Sequence, residues 1–255
     1  MATKKCETLD YWQEKARTSD DVRAVTHSDT HQRQLEIDTI ISYLKKTDDV
    51  LDIGCGNGYS TAIFSRYCRA ITGIDFSSEM IRRARIENSL SGKIAYAVAD
   101  ARKLRLKKTF SKIVTERCLI NILDWNAQKK ALANIAGHLR RGGLYLMMEG
   151  VADGRKRLSR LRVRVGLEKL PDVAYNLDFE RKRTESFLKK YFDIVEFKTF
   201  GSYEFITRII YPMYVRPSQP FYGSKFHDIA LEVCKKLPDL APGISKLGLW
   251  VLRRK

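Results

Sequence analysis

Three aspartates, Asp52, Asp75 and Asp100, each close a short apolar run in this 255-residue chain. In an open α/β sheet the carboxyl ends of the strands form the edge where ligands bind. Asp52 opens the run Asp52-Ile53-Gly54-Cys55-Gly56-Asn57-Gly58. Its glycines allow a tight strand-to-helix turn and close approach of backbone to a ligand. The spacing is G-x-G-x-G, whereas the dinucleotide fingerprint is G-x-G-x-x-G with a pyrophosphate on the helix N-terminus. An acidic residue just before the first glycine repels a pyrophosphate and suits a cationic amino acid and sulfonium. Asp75 ends Ile71-Thr72-Gly73-Ile74-Asp75, where a carboxylate accepts from both hydroxyls of a ribose. Asp100, in Val98-Ala99-Asp100-Ala101, is placed to accept from an adenine amino group. A single glycine loop is a weak signal; the loop and both later aspartates, in this order and spacing, are a strong one.

Elements that would position these residues follow from the hydrophobic pattern. Leu35, Ile37, Ile40, Ile41 and Leu44 fall at helical spacing and predict an amphipathic helix over 30–46. Strands are expected at 50–53, 70–74, 94–99, 112–115 and 144–148, because each is a short apolar run of the buried parallel kind. Helices are expected at 59–67, 78–88 and 126–139, the last broken by Gly142 and Gly143. This alternation implies βαβ units with right-handed crossovers and helices on both faces of a parallel sheet. After Gly150 the rhythm changes. The stretch 154–169 is basic and reads either as a helix carrying Leu158, Leu161 and Val165 on one stripe or as an alternating strand. A helix is expected at 179–191, a strand at 193–200, a long connection over 201–244 and a last strand at 247–252. Two late strands joined by a long connection suit an antiparallel pair at the sheet edge.

The segment 50–61, VLDIGCGNGYST, resembles the first motif of class I S-adenosylmethionine (SAM)-dependent methyltransferases. GIDFSSEMIRRAR at 73–85 resembles their second motif, VADARKL at 98–104 their adenine motif, and LRRGGLYLMME at 139–149 their fifth strand with its preceding turn. The resemblance covers about residues 47–150. It implies a Rossmann-like seven-stranded, mostly parallel sheet in the order 3-2-1-4-5-7-6, with the last pair reversed. An N-terminal helical cap at 1–46, a SAM-binding core at 47–150 and a segment 151–255 that completes the same domain are expected. Carried over by position, Gly54, Cys55, Gly56, Asn57 and Gly58 would approach the methionine portion of SAM. Asp52 and Asp75 would be the loop-side and ribose carboxylates. Phe76 and Met80 would flank the adenine, and Asp100, with the Ala101 backbone, would bind its amino group. Glu116, Arg117 and Cys118 would lie beside the transferred methyl group, with S-adenosyl-L-homocysteine as the spent cofactor. The stretch 200–212, together with Asn176, is similar to bacterial methyltransferases of small molecules and glycans.

Methyl transfer requires an acceptor lone pair roughly 3 Å from the sulfonium carbon and opposite the leaving sulfur. An oxygen acceptor also needs a base. Glu116 and Glu149 stand at strand ends and are the carboxylate candidates; His31 and His227 lie in segments able to cap a cleft, and His31 is the histidine candidate. His138 is expected to be solvated and remote. Tyr11, Trp12, Tyr203 and Tyr211 are aromatic candidates for a lid, although core packing is their commoner fate. The place after strand four reads Thr115-Glu116-Arg117-Cys118-Leu119-Ile120-Asn121, not the Asn/Asp-Pro-Pro-Tyr/Phe of amino-directed nucleic-acid enzymes. No Pro-Cys pair supports Cys118 as a nucleophile.

A net charge of +17 favours anionic partners, and the run Arg155, Lys156, Arg157, Arg160, Arg162, Arg164 is a candidate for phosphate or peripheral membrane contact. The 44% hydrophobic content argues against disorder, and no apolar run reaches the length that spans a bilayer. Five cysteines without a C-x-x-C pair support neither a disulfide framework nor a zinc knuckle, so no metal is expected and the chain reads as reduced and cytoplasmic. The expected acceptor is a small or glycan-like molecule, anionic and methylated at oxygen. RNA, which the charge favours, is the alternative, but no appended RNA-binding motif is visible. A SAM-binding protein without catalysis is the third reading.

Overall fold

A computed structural model describes residues 2–19, 21–22, 25–26, 28–88 and 92–255. Along the chain come helices α1 (Ala2–Thr18) and α2 (Thr30–Ile41), then β1 (Asp49–Ile53), α3 (Tyr59–Phe64), β2 (Ala70–Asp75), α4 (Ser78–Glu87), β3 (Ile94–Val98) and β4 (Phe110–Glu116). These are followed by α5 (Trp125–His138), β5 (Leu139–Gly150), α6 (Ala152–Arg164), α7 (Arg181–Leu188) and β6 (Phe192–Thr199). A helical connection, α8 (Gly201–Phe205), a π-helical turn (Ile206–Ile210), α9 (Tyr211–Val215) and α10 (Lys225–Lys236), leads to β7 (Leu247–Arg254).

The strands form a seven-stranded sheet in the order β3-β2-β1-β4-β5-β7-β6, as the family resemblance implies. β1 pairs in parallel with β2 and β4, while β7 runs antiparallel to both β5 and β6. Alternation along each strand divides the core into two. Leu51, Ile53, Ile113, Met147, Trp250 and Leu252 belong to one buried cluster, and Val50, Val114, Leu146, Met148, Leu249 and Val251 to the other. Each such side chain contributes about 1.5–3 kcal/mol on burial. Both faces are therefore covered by helices, as strands apolar on both sides require.

Two expectations, the start of β5 and the exposure of His138, need correction, and one reading left open is decided. β5 begins at Leu139, not after the glycine pair, because β4 and β5 pair as Phe110 with Leu139 and then as Lys112 with Leu144. Gly142, at φ +73°, lets the intervening residues bulge out of the ladder. The ambiguous basic stretch is helical, and three of its arginines are engaged within the molecule. Arg155 pairs with Asp178 at 2.5 Å, Arg157 donates to the Gly243 carbonyl, and Arg162 donates to the carbonyls of Glu168 and Arg208. His138 is half-buried: its Nε2 accepts from the Leu106 N–H at 3.1 Å and its Nδ1 lies 2.8 Å from the Asn134 carbonyl.

α2 is held by charge as well as by apolar burial. Asp29, 2% exposed, caps the helix by accepting from the Gln32 N–H at 3.0 Å. The same carboxylate accepts from the Tyr203 hydroxyl at 2.7 Å and from the Arg208 guanidinium at 2.6 Å. These bonds hold its pKa below the ordinary range although burial acts the other way. Removing it with Asp29→Ala leaves a buried guanidinium short of its partner, and the expected loss is about 3–5 kcal/mol. Denaturant unfolding measures it; a loss under about 1 kcal/mol would show that this cluster does not secure α2.

Candidate active site

At the carboxyl edge of the sheet lies a cavity of about 910 Å³. Its floor comes from the ends of β1 and β2 and from the loop after β4. Asp52, Gly54, Cys55 and Gly56 line it after β1; Asp75, Phe76 and Met80 after β2; Asp100 and Ala101 after β3; and Glu116, Arg117 and Cys118 after β4. The sequence-nominated residues thus converge, with exceptions. Asn57 is fully buried outside the lining, where its amide donates to the Val22 carbonyl and to Glu87. Gly58 is the N-cap of α3.

Sequence dictates the shape of the loop. Gly54 and Gly58 both sit at φ +78°, a left-handed conformation that glycine takes without penalty. A Cβ at Gly54 would collide with the Cys118 side chain, and one at Gly58 with the Tyr96 hydroxyl. Asp75 clamps the turn: Oδ2 accepts from the Gly56 N–H at 3.0 Å and Oδ1 from the Ser77 N–H at 2.8 Å. Asp52 accepts from the Thr61 hydroxyl at 2.6 Å. Burial pushes Asp52 up to about 7 and Asp75 up to about 6, against these hydrogen bonds. Asp100 accepts from the Arg102 N–H at 2.9 Å and holds its guanidinium at 2.5 Å.

The loop after β4 is fixed from two sides. Arg117, at φ +54°, donates to the carboxylate of Glu36, through Nε at 3.0 Å and through Nη2. Glu149 lies beneath the loop, outside the cavity lining and fully buried, and accepts from the backbone N–H groups of Leu119 at 2.9 Å, Ile120 at 3.2 Å and Cys118 at 3.3 Å. Burial raises the Glu149 carboxyl to about 7, whereas the Arg117 guanidinium opposes the effect of burial on Glu36. Burial also pushes the Cys118 thiol well up, so it is a neutral thiol. Of the three nominated catalytic side chains, Glu116 alone lines the cavity. His31 bonds to Asp228 of α10 at 2.9 Å, and His227 is buried against Ser224. His27 lies outside the described residues.

The roof comes from the two chain regions that flank the core. α1 supplies Tyr11, Trp12 and Lys15, and the loop between α6 and α7 supplies Tyr175 and Asn176. Asn121 ties that loop down by donating to the Tyr175 carbonyl at 3.1 Å and to Asn176 Oδ1 at 2.8 Å. Tyr203 and Tyr211 are buried core residues instead. Arg33 lines the cavity and was not nominated. It is 5% exposed, donates to the Ser60 hydroxyl at 3.3 Å and stacks 4.4 Å from the centre of the Tyr59 ring. Only an arginine placed on the apolar helix stripe at 30–46 could have signalled it.

The residues present fit a cationic nucleoside ligand. Glycines leave the backbone bare beside the two buried carboxylates Asp52 and Asp75, which favour positive charge and repel phosphate. Residues 50–143 match the family model described as a methyltransferase domain. The O-methyltransferase cnsE of Penicillium expansum is 32% identical over 111 residues, 42% of this chain, and the chain spans 39% of that relative's length. Among solved structures, the N-methyltransferase NodS from Bradyrhizobium japonicum WM9, in complex with S-adenosyl-L-homocysteine, matches with a TM-score of 0.59 at 17% identity, covering 97% of this chain and 98% of that one. The PH0226 protein from Pyrococcus horikoshii OT3 matches with 0.60 at 18% identity, over 95% and 99%. At these identities the structures establish the fold.

The raised carboxyls carry a stability signature. Asp52, Glu149 and Asp75 keep their protons in the folded chain at pH values where the unfolded chain has released them. Their contribution is fully present below the ordinary carboxylate range and is lost as pH rises through about 6–7. Asp52→Asn, which still accepts from Thr61, is expected to flatten that decline in urea unfolding of the ligand-free protein between pH 5 and about 7.5. An unchanged slope would mean that Asp52 does not titrate in this window.

Proposed function

We propose that this chain, which carries a methyltransferase domain of the class I SAM-dependent fold, transfers a methyl group to a small, anionic acceptor at oxygen. What carries this reading is the continuity of one cavity. Its floor holds Asp52, Asp75 and the glycine loop, and Tyr11, Trp12, Lys15 and Tyr175 line the same cavity from the roof. Residues 47–150 would serve the cofactor, and 1–46 with 151–255 would shape the acceptor chamber. A volume near the top of the roughly 300–1,000 Å³ range for single-ligand sites suits a cofactor and an acceptor together.

SAM, when bound, supplies an electrophilic methyl on a sulfonium. Asp75 would accept from the ribose hydroxyls with the lone pairs not used by Gly56 and Ser77. Asp52 would balance the positive charge, and Arg33 is suited to the methionine carboxylate. Phe76 and Met80 would enclose the adenine, and Asp100 would meet its amino group. Glu116 would take the proton of an acceptor hydroxyl, and the loop after β4 would hold that oxygen beside the methyl group that the cofactor supplies, so that placement contributes to the acceleration. Glu149, holding three backbone N–H groups, would position the Glu116 loop rather than take the proton.

Calorimetric titration of SAM is expected to lose at least about tenfold in affinity for Asp75→Ala, since a charge-assisted ribose contact and the Gly56 clamp go together. Equal affinity in the variant would overturn the cofactor assignment. The RNA reading has its own readout. Affinity of the purified protein for a short RNA should be weak at moderate salt, whereas tight binding that falls steeply with salt would favour it over a small acceptor.

A further inference from the structure

We propose that the exposed face formed by α6 and the connection after β6 docks on an anionic membrane surface, with Tyr214 and Phe221 entering the lipid interface and the cations of α6 on the headgroups. Residues 205–227 hold no acidic side chain, and neither do residues 154–167. In the first stretch Ile210, Met213 and Tyr214 recur at helical spacing on one exposed face, and Phe221 and Tyr222 are exposed in the loop that follows. Tyr214 is 75% exposed and Phe221 66%. Single apolar side chains at a surface are ordinary, whereas a contiguous group of them marks a contact surface. None of these residues lines the cavity.

The exposed rings rest on a shared aromatic base. Tyr211, buried beneath them, stacks on Phe226 with ring centroids 4.8 Å apart. Tyr214 packs on Phe226 at 5.2 Å. Phe221 stands edge-on to Tyr211 at 6.2 Å, and its N–H donates to the Tyr211 hydroxyl at 3.3 Å. α6 is tied to the same connection, since Arg162 donates to the Arg208 carbonyl and Arg216 to the Gly166 carbonyl. Lys156, Arg160, Val163 and Arg164 are exposed and fall on one stripe of α6, opposite the buried Leu158. Of the acids that flank the two stretches, Glu204 is fully buried, Asp153 accepts from the Arg181 N–H at 2.9 Å and Asp228 is held by His31 at 2.9 Å, while Glu168 is exposed.

The occupant of this face must be anionic and must also accept aliphatic and aromatic side chains. A bilayer surface with anionic headgroups offers both, because it attracts basic side chains and takes aromatic rings at its interface. A second copy placed face to face would bring cations against cations. An RNA would pair with the arginines but leave Ile210, Met213 and Val163 against phosphate and water. No helix among the described residues is long and apolar enough to cross a membrane, so the contact is a surface one.

The test is sedimentation of the full chain with vesicles of phosphatidylcholine alone, or of phosphatidylcholine and phosphatidylglycerol at about 3:1. The expected result is at least about tenfold tighter partitioning onto the anionic vesicles, weakening as salt rises from about 0.1 M to about 0.5 M. Arg160→Gln combined with Arg164→Gln should weaken it about tenfold or more. Tyr214→Ser combined with Phe221→Ser should weaken it about tenfold, with the urea midpoint of unfolding unchanged in both double variants. Tyr214→Trp should be quenched by lipids brominated in the acyl chain, which contact through charge alone would not produce. Equal sedimentation with both vesicles, binding to neither, or unchanged binding in the Tyr214→Ser and Phe221→Ser variant overturns the membrane surface. Binding of a short RNA that this variant loses, without vesicle binding, overturns it in favour of RNA. A dimer in sedimentation equilibrium that the variant dissociates, again without vesicle binding, overturns it in favour of a second copy. The methyl-transfer reading is independent of every outcome, because no substituted residue lines the cavity.

Discussion

The architecture of the cleft depends on one buried ion pair. Glu36, with no exposed surface, projects from α2 onto Arg117, the residue that turns the chain after β4. A non-glycine residue held at φ +54° costs about 1–3 kcal/mol, whereas breaking a buried pair costs about 3–5 kcal/mol. The pair outweighs the strain, so the loop stays in a conformation its own backbone does not favour. That conformation puts Glu116, Arg117 and Cys118 along the cavity while Leu119 turns into the core. Glu149 completes the restraint from below. The loop is specified by two acids on opposite sides, one in a helix before the sheet and one in its fifth strand.

From Glu36 the charges continue away from the cavity. Glu204, fully buried on α8, accepts from Gln32 at 3.1 Å and lies 3.7 Å from the Lys246 ammonium and 3.6 Å from Arg208. Arg208 reaches back to Asp29 at the start of α2. Burial lowers Lys246 to about 8, a measure of what desolvation costs even among opposite charges. Such a network adds little net stability compared with an apolar core of equal volume. Its effect is geometric: it fixes the position of α2, and hence of Arg117, to the resolution of a hydrogen bond. This explains how the connection 201–244 contributes nothing to the cavity lining and still shapes it.

Legibility in the sequence followed the length scale of each signal. The strands β1 to β4 and the aspartates at their ends were readable because a buried strand is a contiguous apolar run and its end is marked by the next polar residue. Asp52, Asp75 and Asp100 accordingly reach one cavity. Glu149 looked equivalent by the same rule, but a strand-end position does not say whether the following loop folds over the side chain. Here it does, and the carboxylate is spent on backbone N–H groups. His31 lies on α2, and which side of a helix meets α10 rather than the cleft is decided by a segment some two hundred residues away, beyond any local periodicity. Arg33, on that helix, was hidden for the same reason. The arginines of α6 formed a conspicuous run, yet their partners, Asp178 and the carbonyls of Gly243, Glu168 and Arg208, carry no sequence signature.

Floor and roof differ in what holds them. The floor is strand ends, buried carboxylates and a charge network, each interaction costing several kcal/mol to break. The roof rests on α1, which meets α4 through the Arg83 guanidinium on the carbonyls of Ala16 and Ser19 and through an exposed Arg17–Glu79 pair at 3.8 Å. It meets the opposite rim through the Tyr11–Tyr175 stack. An exposed ion pair contributes about 0–1 kcal/mol and an aromatic pair about 0.5–1.5 kcal/mol beyond its area. Trp12 adds apolar packing against Ala16, Val25 and Met80. The roof therefore rests on several contacts each weaker than the buried charge pairs beneath the floor, and its position is set by their sum rather than by any one of them.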